Sequence, residues 1–286
     1  MLSGVRRRPA FWLGVAAAMA AVAGFGLVQH SYTLRTIATE TRLRLWVKTI
    51  RDVPYGPYPE NRLDIMRPRW GAGTPQPAVL VFHGGGWLFG DRDLMRDRVC
   101  RRYLAHGFVV ANAEYRRGVG PAAEDALRAL EWLFEAAPSY GADRRRIVVT
   151  GESAGAHLAL LAAFQSRPSP AAVVSFYGIS DLTALLEKKF IRDVLPEEGA
   201  VSQARRLSPI AYVRPGVPPV LSLHGGADSM APPDQAIRLD RRIREVGGEA
   251  SEFIIGGAGH GFTEPQLEAA YGVVFGFLAR HRICLR

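Results

Sequence analysis

The sequence predicts an α/β fold: a mostly parallel sheet covered by helices on both faces. Three observations carry that expectation. From about residue 60, short β-rich runs alternate with helical segments at the spacing of strand–helix–strand units. Several of the runs are almost continuously apolar, as strands buried on both faces must be. One strand–helix junction reads Gly151-Glu152-Ser153-Ala154-Gly155, with small residues where the chain has to turn sharply.

Taken in order, the chain begins with Arg6-Arg7-Arg8 followed by an uncharged apolar run, Phe11 to Val28. As a helix that run would reach about 27 Å, close to the thickness of a bilayer core. Two readings compete for residues 1–30: a signal anchor that stays in the membrane, or a signal peptide cleaved after Ala21-Val22-Ala23. Under both, the arginine triplet stays on the cytoplasmic side and the rest of the chain lies outside the cytoplasm, periplasmic or extracellular. Residues 31–50 read as a basic, amphipathic connector suited to a membrane surface, and 51–286 as a single α/β domain.

Within that domain the strand candidates are Leu63–Met66, Ala78–Phe82, Phe108–Ala111, Ile147–Thr150, Val173–Phe176, Val220–Leu223 and Glu252–Ile255. Pro121 opens a helix with Ala126, Leu127, Leu130 and Leu133 at helical spacing, and Gly141 closes its exit loop. Further helices are expected over Ser153–Phe164, from near Pro233 to Gly247-Gly248, and over Pro265–Arg280. Between Asp181 and Tyr212 lies one insertion-like segment, with a helical stretch expected over Ala184–Leu195.

The formal net charge is +9. The positive charge is spread along the chain in arginine pairs and triplets, with neither aromatic interleaving nor zinc-ligand spacing, which argues against a nucleic-acid partner. Cys100 and Cys284 form neither a CxxC pair nor a metal-like cluster, so no metal is expected, and ordinary thiols are favoured over a disulfide.

The chemistry concentrates at strand ends. Ser153 follows the apolar strand Ile147–Thr150 and precedes an alanine-rich helix, so the backbone N–H of Ala154 points out of the helix N-terminus toward a developing oxyanion. His83-Gly84-Gly85-Gly86-Trp87 leaves the strand Ala78–Phe82, and Gly85 and Gly86 are the expected further oxyanion donors. Trp87 and Glu152, beside the donor loop and the serine, are assigned to the substrate pocket. His83 reads as a structural loop residue, and His157 as a satisfied core histidine. His260, on the glycine-rich loop Gly257–Phe262, is the expected general base. Asp228, after Val220–Leu223, is the expected carboxylate that orients it, with Asp234 and Asp181 as fallbacks.

From about Tyr55 onward the chain resembles the bacterial esterase/lipase branch of the α/β hydrolases, which takes in hormone-sensitive-lipase-like and feruloyl-esterase-like carboxylesterases and arylformamidases. The matching stretches are Leu63–Pro68, His83–Trp87, Glu114-Tyr115-Arg116, the Ser153 elbow, Ser175–Gly178, and the Asp228 and His260 loops. The resemblance implies an eight-stranded sheet, no cofactor, and hydrolysis of small to medium carboxylic esters through an acyl-enzyme. An arylformamidase-like amidase or a prolyl-peptidase-like hydrolase is the alternative, and a catalytically silent binding fold is a more distant one. Glu152 departs from the Asp usual at that place among the hormone-sensitive-lipase relatives. The N-terminal residues are also too few for both a membrane segment and a full helical cap.

Overall fold

A computed structural model describes residues 46–69, 73–195 and 198–284. The run Phe11–Val28, the whole of segment 1–30 and most of the connector lie outside the described residues. Among the described residues, no helix is long and apolar enough to cross a membrane.

One eight-stranded sheet has the order β1-β2-β4-β3-β5-β6-β7-β8. Its strands are β1 (Val47–Pro54), β2 (Arg62–Pro68), β3 (Gln76–Phe82), β4 (Val109–Ala113), β5 (Ala142–Glu152), β6 (Ala172–Phe176), β7 (Val220–Gly225) and β8 (Ala250–Ile255). β2 runs antiparallel to β4; β4 pairs parallel with β3, and the ladder stays parallel through β5, β6, β7 and β8. The helices are α1 (Asp93–Met95, a π turn over Arg96–Cys100, and Arg101–Ala105), α2 (Val119–Ala136), α3 (Ala154–Gln165), α4 (Lys189–Arg192), α5 (Ala200–Arg206), α6 (Asp234–Glu245) and α7 (Glu264–Arg280).

The central strands carry apolar runs because both faces are covered there. Ala78, Leu80 and Phe82 of β3 and Ile147 and Val149 of β5 join one core with Leu130 and Leu133 of α2 and Leu158 and Leu161 of α3. Val79, Val81 and Val148 alternate with them, so they point to the opposite face, and they are equally buried. Tyr103 of α1 meets Tyr271 and Phe275 of α7 edge-on, at 6.0 and 5.6 Å between ring centroids.

Two expectations about elements need correction. Strand β1 starts at Val47, so the sheet already includes the last residues assigned to the connector. The expected helix Ala184–Leu195 is broken: a 3-10 turn over Thr183–Leu185 is followed by an extended Lys188 and then only the four residues of α4. Leu182, Leu185, Ile191 and Leu195 are all buried, and bringing all four onto the core overrides local helical preference. Cys100 and Cys284 are both free and buried.

Candidate active site

Parallel strands bring their C-terminal ends to one edge of the sheet, so the loops leaving β3, β5, β7 and β8 converge there. The turn from β5 into α3 is the tightest of them. Ser153 has φ +53° and ψ −116°, a conformation that a side chain seldom adopts. A Cβ on Gly155 would lie 2.2 Å from the carbonyl oxygen of Phe82, and one on Gly151 would lie 2.4 Å from the carbonyl carbon of Gly155. The elbow is thus packed backbone against backbone on the end of β3, which is why both positions need glycine.

Three side chains from three of these loops line up. Ser153 Oγ lies 2.7 Å from His260 Nε2, and His260 Nδ1 lies 2.7 Å from Asp228 Oδ2. The other oxygen of Asp228 accepts the backbone N–H groups of Met230 at 3.0 Å and Ala231 at 2.9 Å. Burial opposes ionisation of Asp228, but hydrogen bonds from His224, His260 and the Ala231 N–H outweigh it and hold the carboxyl well below the usual carboxylate range. An ionised Asp228 fixes the imidazole proton on Nδ1 and leaves Nε2 free to accept from the serine. The fallback carboxylates are engaged elsewhere: Asp181 pairs with Arg238 and caps Thr183, and Asp234 faces Arg238 at 3.7 Å.

The donor loop lies against the same elbow. A Cβ on Gly84 would come within 3.6 Å of Ser153 Cβ. Gly85, Gly86 and Trp87 all have positive φ, at +120°, +60° and +61°. Among the described residues, the N–H groups of Gly85 and Gly86 donate to no backbone carbonyl, and Ala154, first in α3, has no carbonyl one turn earlier to receive its proton. These three N–H groups can therefore serve an oxyanion on Ser153. His83 Nε2 donates to Glu114 Oε1 at 2.8 Å, and the His83 ring stacks on Tyr115 at 4.1 Å, a structural role as expected.

A family model, BD-FAE, matches residues 63–243, more than half of the chain and inclusive of Ser153 and Asp228. The chain belongs to the BD-FAE family. It is similar to the esterase LipQ of Mycobacterium tuberculosis, 31% identical over 71% of this chain, and to the esterase LipC of the same organism, 30% identical over 74%. It spans 55% and 59% of the lengths of these two relatives. A solved esterase from the Planctomycetes species Thermogutta terrifontis shares the α/β-hydrolase fold. It has a TM-score of 0.70 at 22% identity and covers 82% of this chain and 92% of its own.

Within this BD-FAE domain, two side chains assigned to the substrate pocket have other partners. Trp87 borders a cavity of about 690 Å³ beside the donor loop, also lined by His83, Leu88, Phe89, Tyr115 and Arg116. Its side chain, however, is spent in the core: it is 1% exposed, and its indole N–H donates to His157 Nδ1 at 3.2 Å. His157 in turn donates from Nε2 to the Leu207 carbonyl at 2.7 Å, and burial pulls its pKa down to about 4, so it stays neutral in this role. Trp87 braces the donor loop from within. Glu152 is also buried, and its carboxylate accepts Arg98 Nε at 2.7 Å. Arg98 and Tyr177 are the residues that sequence reasoning missed. Tyr177 lay in a motif to which no role was given. Arg98 had no signal at all, because its partners stand 54 to 164 residues away in the chain.

Proposed function

We propose that this chain is a serine carboxylesterase that hydrolyses small to medium carboxylic esters through an acyl-enzyme. The observation that carries the reading is the unbroken relay Ser153 Oγ–His260 Nε2 and His260 Nδ1–Asp228 Oδ2, each 2.7 Å, beside uncommitted backbone donors. Ser153 attacks the ester carbonyl as His260 takes its proton. The N–H groups of Gly85, Gly86 and Ala154 hold the oxyanion. The imidazolium returns the proton to the leaving alcohol, and water, activated by the same histidine, releases the acid. The esterase names of the similar mycobacterial proteins support the same reading. The segment between β6 and β7 supports a preference for short acyl groups, because its helices are short and its Leu182, Leu185, Ile191 and Leu195 are buried, which leaves little apolar surface for a long chain. The arginine triplet and the uncharged run Phe11–Val28 support a domain held at, or exported across, a membrane, with the active site outside the cytoplasm.

The test is covalent labelling by a fluorophosphonate together with hydrolysis of p-nitrophenyl acetate, comparing wild type with Ser153→Ala and His260→Ala. Each variant should lose about 10⁶-fold in kcat, and Ser153→Ala should lose labelling as well. Labelling that survives Ser153→Ala would place the nucleophile elsewhere.

A further inference from the structure

The loop that carries His260 is held by side chains, with Phe262 buried against Phe176 and Tyr177, and not by its own backbone. Among the described residues, no backbone–backbone hydrogen bond involves residues 259–262. Gly261 has φ +107°, and the imidazole's bond to Asp228 is a tether at the tip only. A general base must nevertheless stay within a fraction of an ångström of its serine, since about 1 Å of misplacement costs on the order of 10² in rate.

The side chain of Arg98 reaches this loop and the elbow together. Arg98 Nε donates to Glu152 Oε1 at 2.7 Å, beside the nucleophile. Its Nη2 donates to the carbonyl of Phe262 at 3.1 Å, two residues past the base. The same nitrogen lies 3.4 Å from the hydroxyl of Tyr177, on the loop that leaves β6. The ring of Tyr177 meets His260 edge-on at 5.1 Å and Phe262 edge-on at 5.1 Å, and its backbone is held at φ +40°. Strain of that kind persists only where neighbours over-determine it. Arg98 projects from the π turn Arg96–Cys100 of α1, a local widening that often marks functional positions. A planar fork that can donate in several directions at once meets three acceptors, at the end of β5, on the loop that leaves β6 and on the His260 loop; an ammonium group, with one nitrogen, cannot span them.

We propose that Arg98 is a positioning residue that holds the His260 loop in register with the Ser153 elbow, an inference that rests on the esterase reading above. Glu152 is its anchor on the elbow side, which explains why an acidic residue stands beside the nucleophile.

The side chain of Arg98 is 34% exposed, so a free guanidinium ion can reach the space left by Arg98→Ala. The expected result is a kcat about 10- to 100-fold below wild type on p-nitrophenyl acetate, with KM changed less than about threefold. Guanidinium chloride at about 20 mM should restore kcat at least about threefold, while methylammonium chloride at the same concentration should not, because only the fork bridges the acceptors. Wild-type kcat in a folded Arg98→Ala variant, or a loss that guanidinium does not relieve, overturns the proposal. If Arg98→Ala does not fold, Arg98→Lys carries the test: it keeps the charge but not the fork, and wild-type kcat in that variant overturns the proposal equally. A wild-type protein inert to both p-nitrophenyl acetate and fluorophosphonate overturns the esterase reading, and this inference with it. An active wild type with an indifferent Arg98 overturns this inference alone.

Discussion

Replacing Asp228 by asparagine tests the relay where its geometry leaves least freedom. One oxygen of Asp228 accepts two backbone N–H groups, from Met230 at 3.0 Å and Ala231 at 2.9 Å, and the other faces His260 Nδ1 at 2.7 Å. An amide nitrogen cannot accept those backbone protons. In Asp228→Asn the amide oxygen must therefore stay on the backbone side, and the NH₂ group must turn to the imidazole. The imidazole then accepts at Nδ1 and carries its proton on Nε2, the atom 2.7 Å from Ser153 Oγ. A protonated Nε2 cannot take the serine proton. Trapping the wrong tautomer in this way costs about 10⁴-fold in kcat, equivalent to about 5.4 kcal/mol. Some stability should be lost as well, because the backbone contacts survive but the interactions that favour the ionised carboxylate do not. The assay is kcat on p-nitrophenyl acetate beside a thermal melt of the same preparation. A folded Asp228→Asn variant retaining more than about a tenth of wild-type kcat refutes the reasoning. So does an equal loss in Asp234→Asn, whose carboxylate faces Arg238 and has no contact with the relay.

Three further outcomes follow from other parts of the molecule. Burial, and then the neighbouring Glu252 carboxylate, raise the pKa of Asp240 to about 7, and one of its carboxyl oxygens has no hydrogen-bond partner among the described residues. The folded state thus holds this proton more tightly than the unfolded chain does. Its contribution to stability is complete below about pH 4 and is lost as pH rises through about 7. Asp240→Asn should therefore raise Tm at pH 8 and change it little at pH 4; the reverse order would show that the carboxylate is stabilised by Arg244 instead. Trp87→Phe removes the donor to His157 Nδ1 and leaves a buried acceptor unsatisfied, at a cost of about 1–3 kcal/mol plus lost packing. Urea unfolding measures it, and a change under about 0.5 kcal/mol would mean that the contact is incidental. A p-nitrophenyl ester series from acetyl to palmitoyl should peak at hexanoyl or shorter; each methylene left unburied forgoes about 0.8 kcal/mol. A maximum at dodecanoyl or beyond would contradict the small-pocket reading.

Much of the sheet was legible because its central strands are buried on both faces and therefore read as apolar runs. β1 was not: only Val47 is buried along Val47–Pro54, and its pattern is that of a polar sheet edge. Ser153, Asp228 and His260 were legible because each follows a strand end within a glycine-bearing loop, a local signal. Trp87 and Glu152 were placed at the substrate pocket on the same locality. Adjacency in sequence to the donor loop and the nucleophile says nothing about which way a side chain points, and both turn toward partners, His157 and Arg98, that only the folded chain supplies.

The sheet order has a consequence for how the protein loses activity. β8 is a margin of the sheet, paired with β7, and after the buried Ala250 its side chains alternate between part-buried and exposed down to Ile255. β5, which carries the serine, is hydrogen-bonded on both sides. Marginal strands fray at free energies well below that of global unfolding. The proton acceptor therefore hangs from a margin of the sheet, and the nucleophile from a strand held on both sides. On warming, the enzyme would fall silent while its centre stays folded and its spectrum is barely changed, and it would recover on cooling as the ladder re-forms. Turnover is then a gauge of the rim of this fold, and circular dichroism a gauge of its middle.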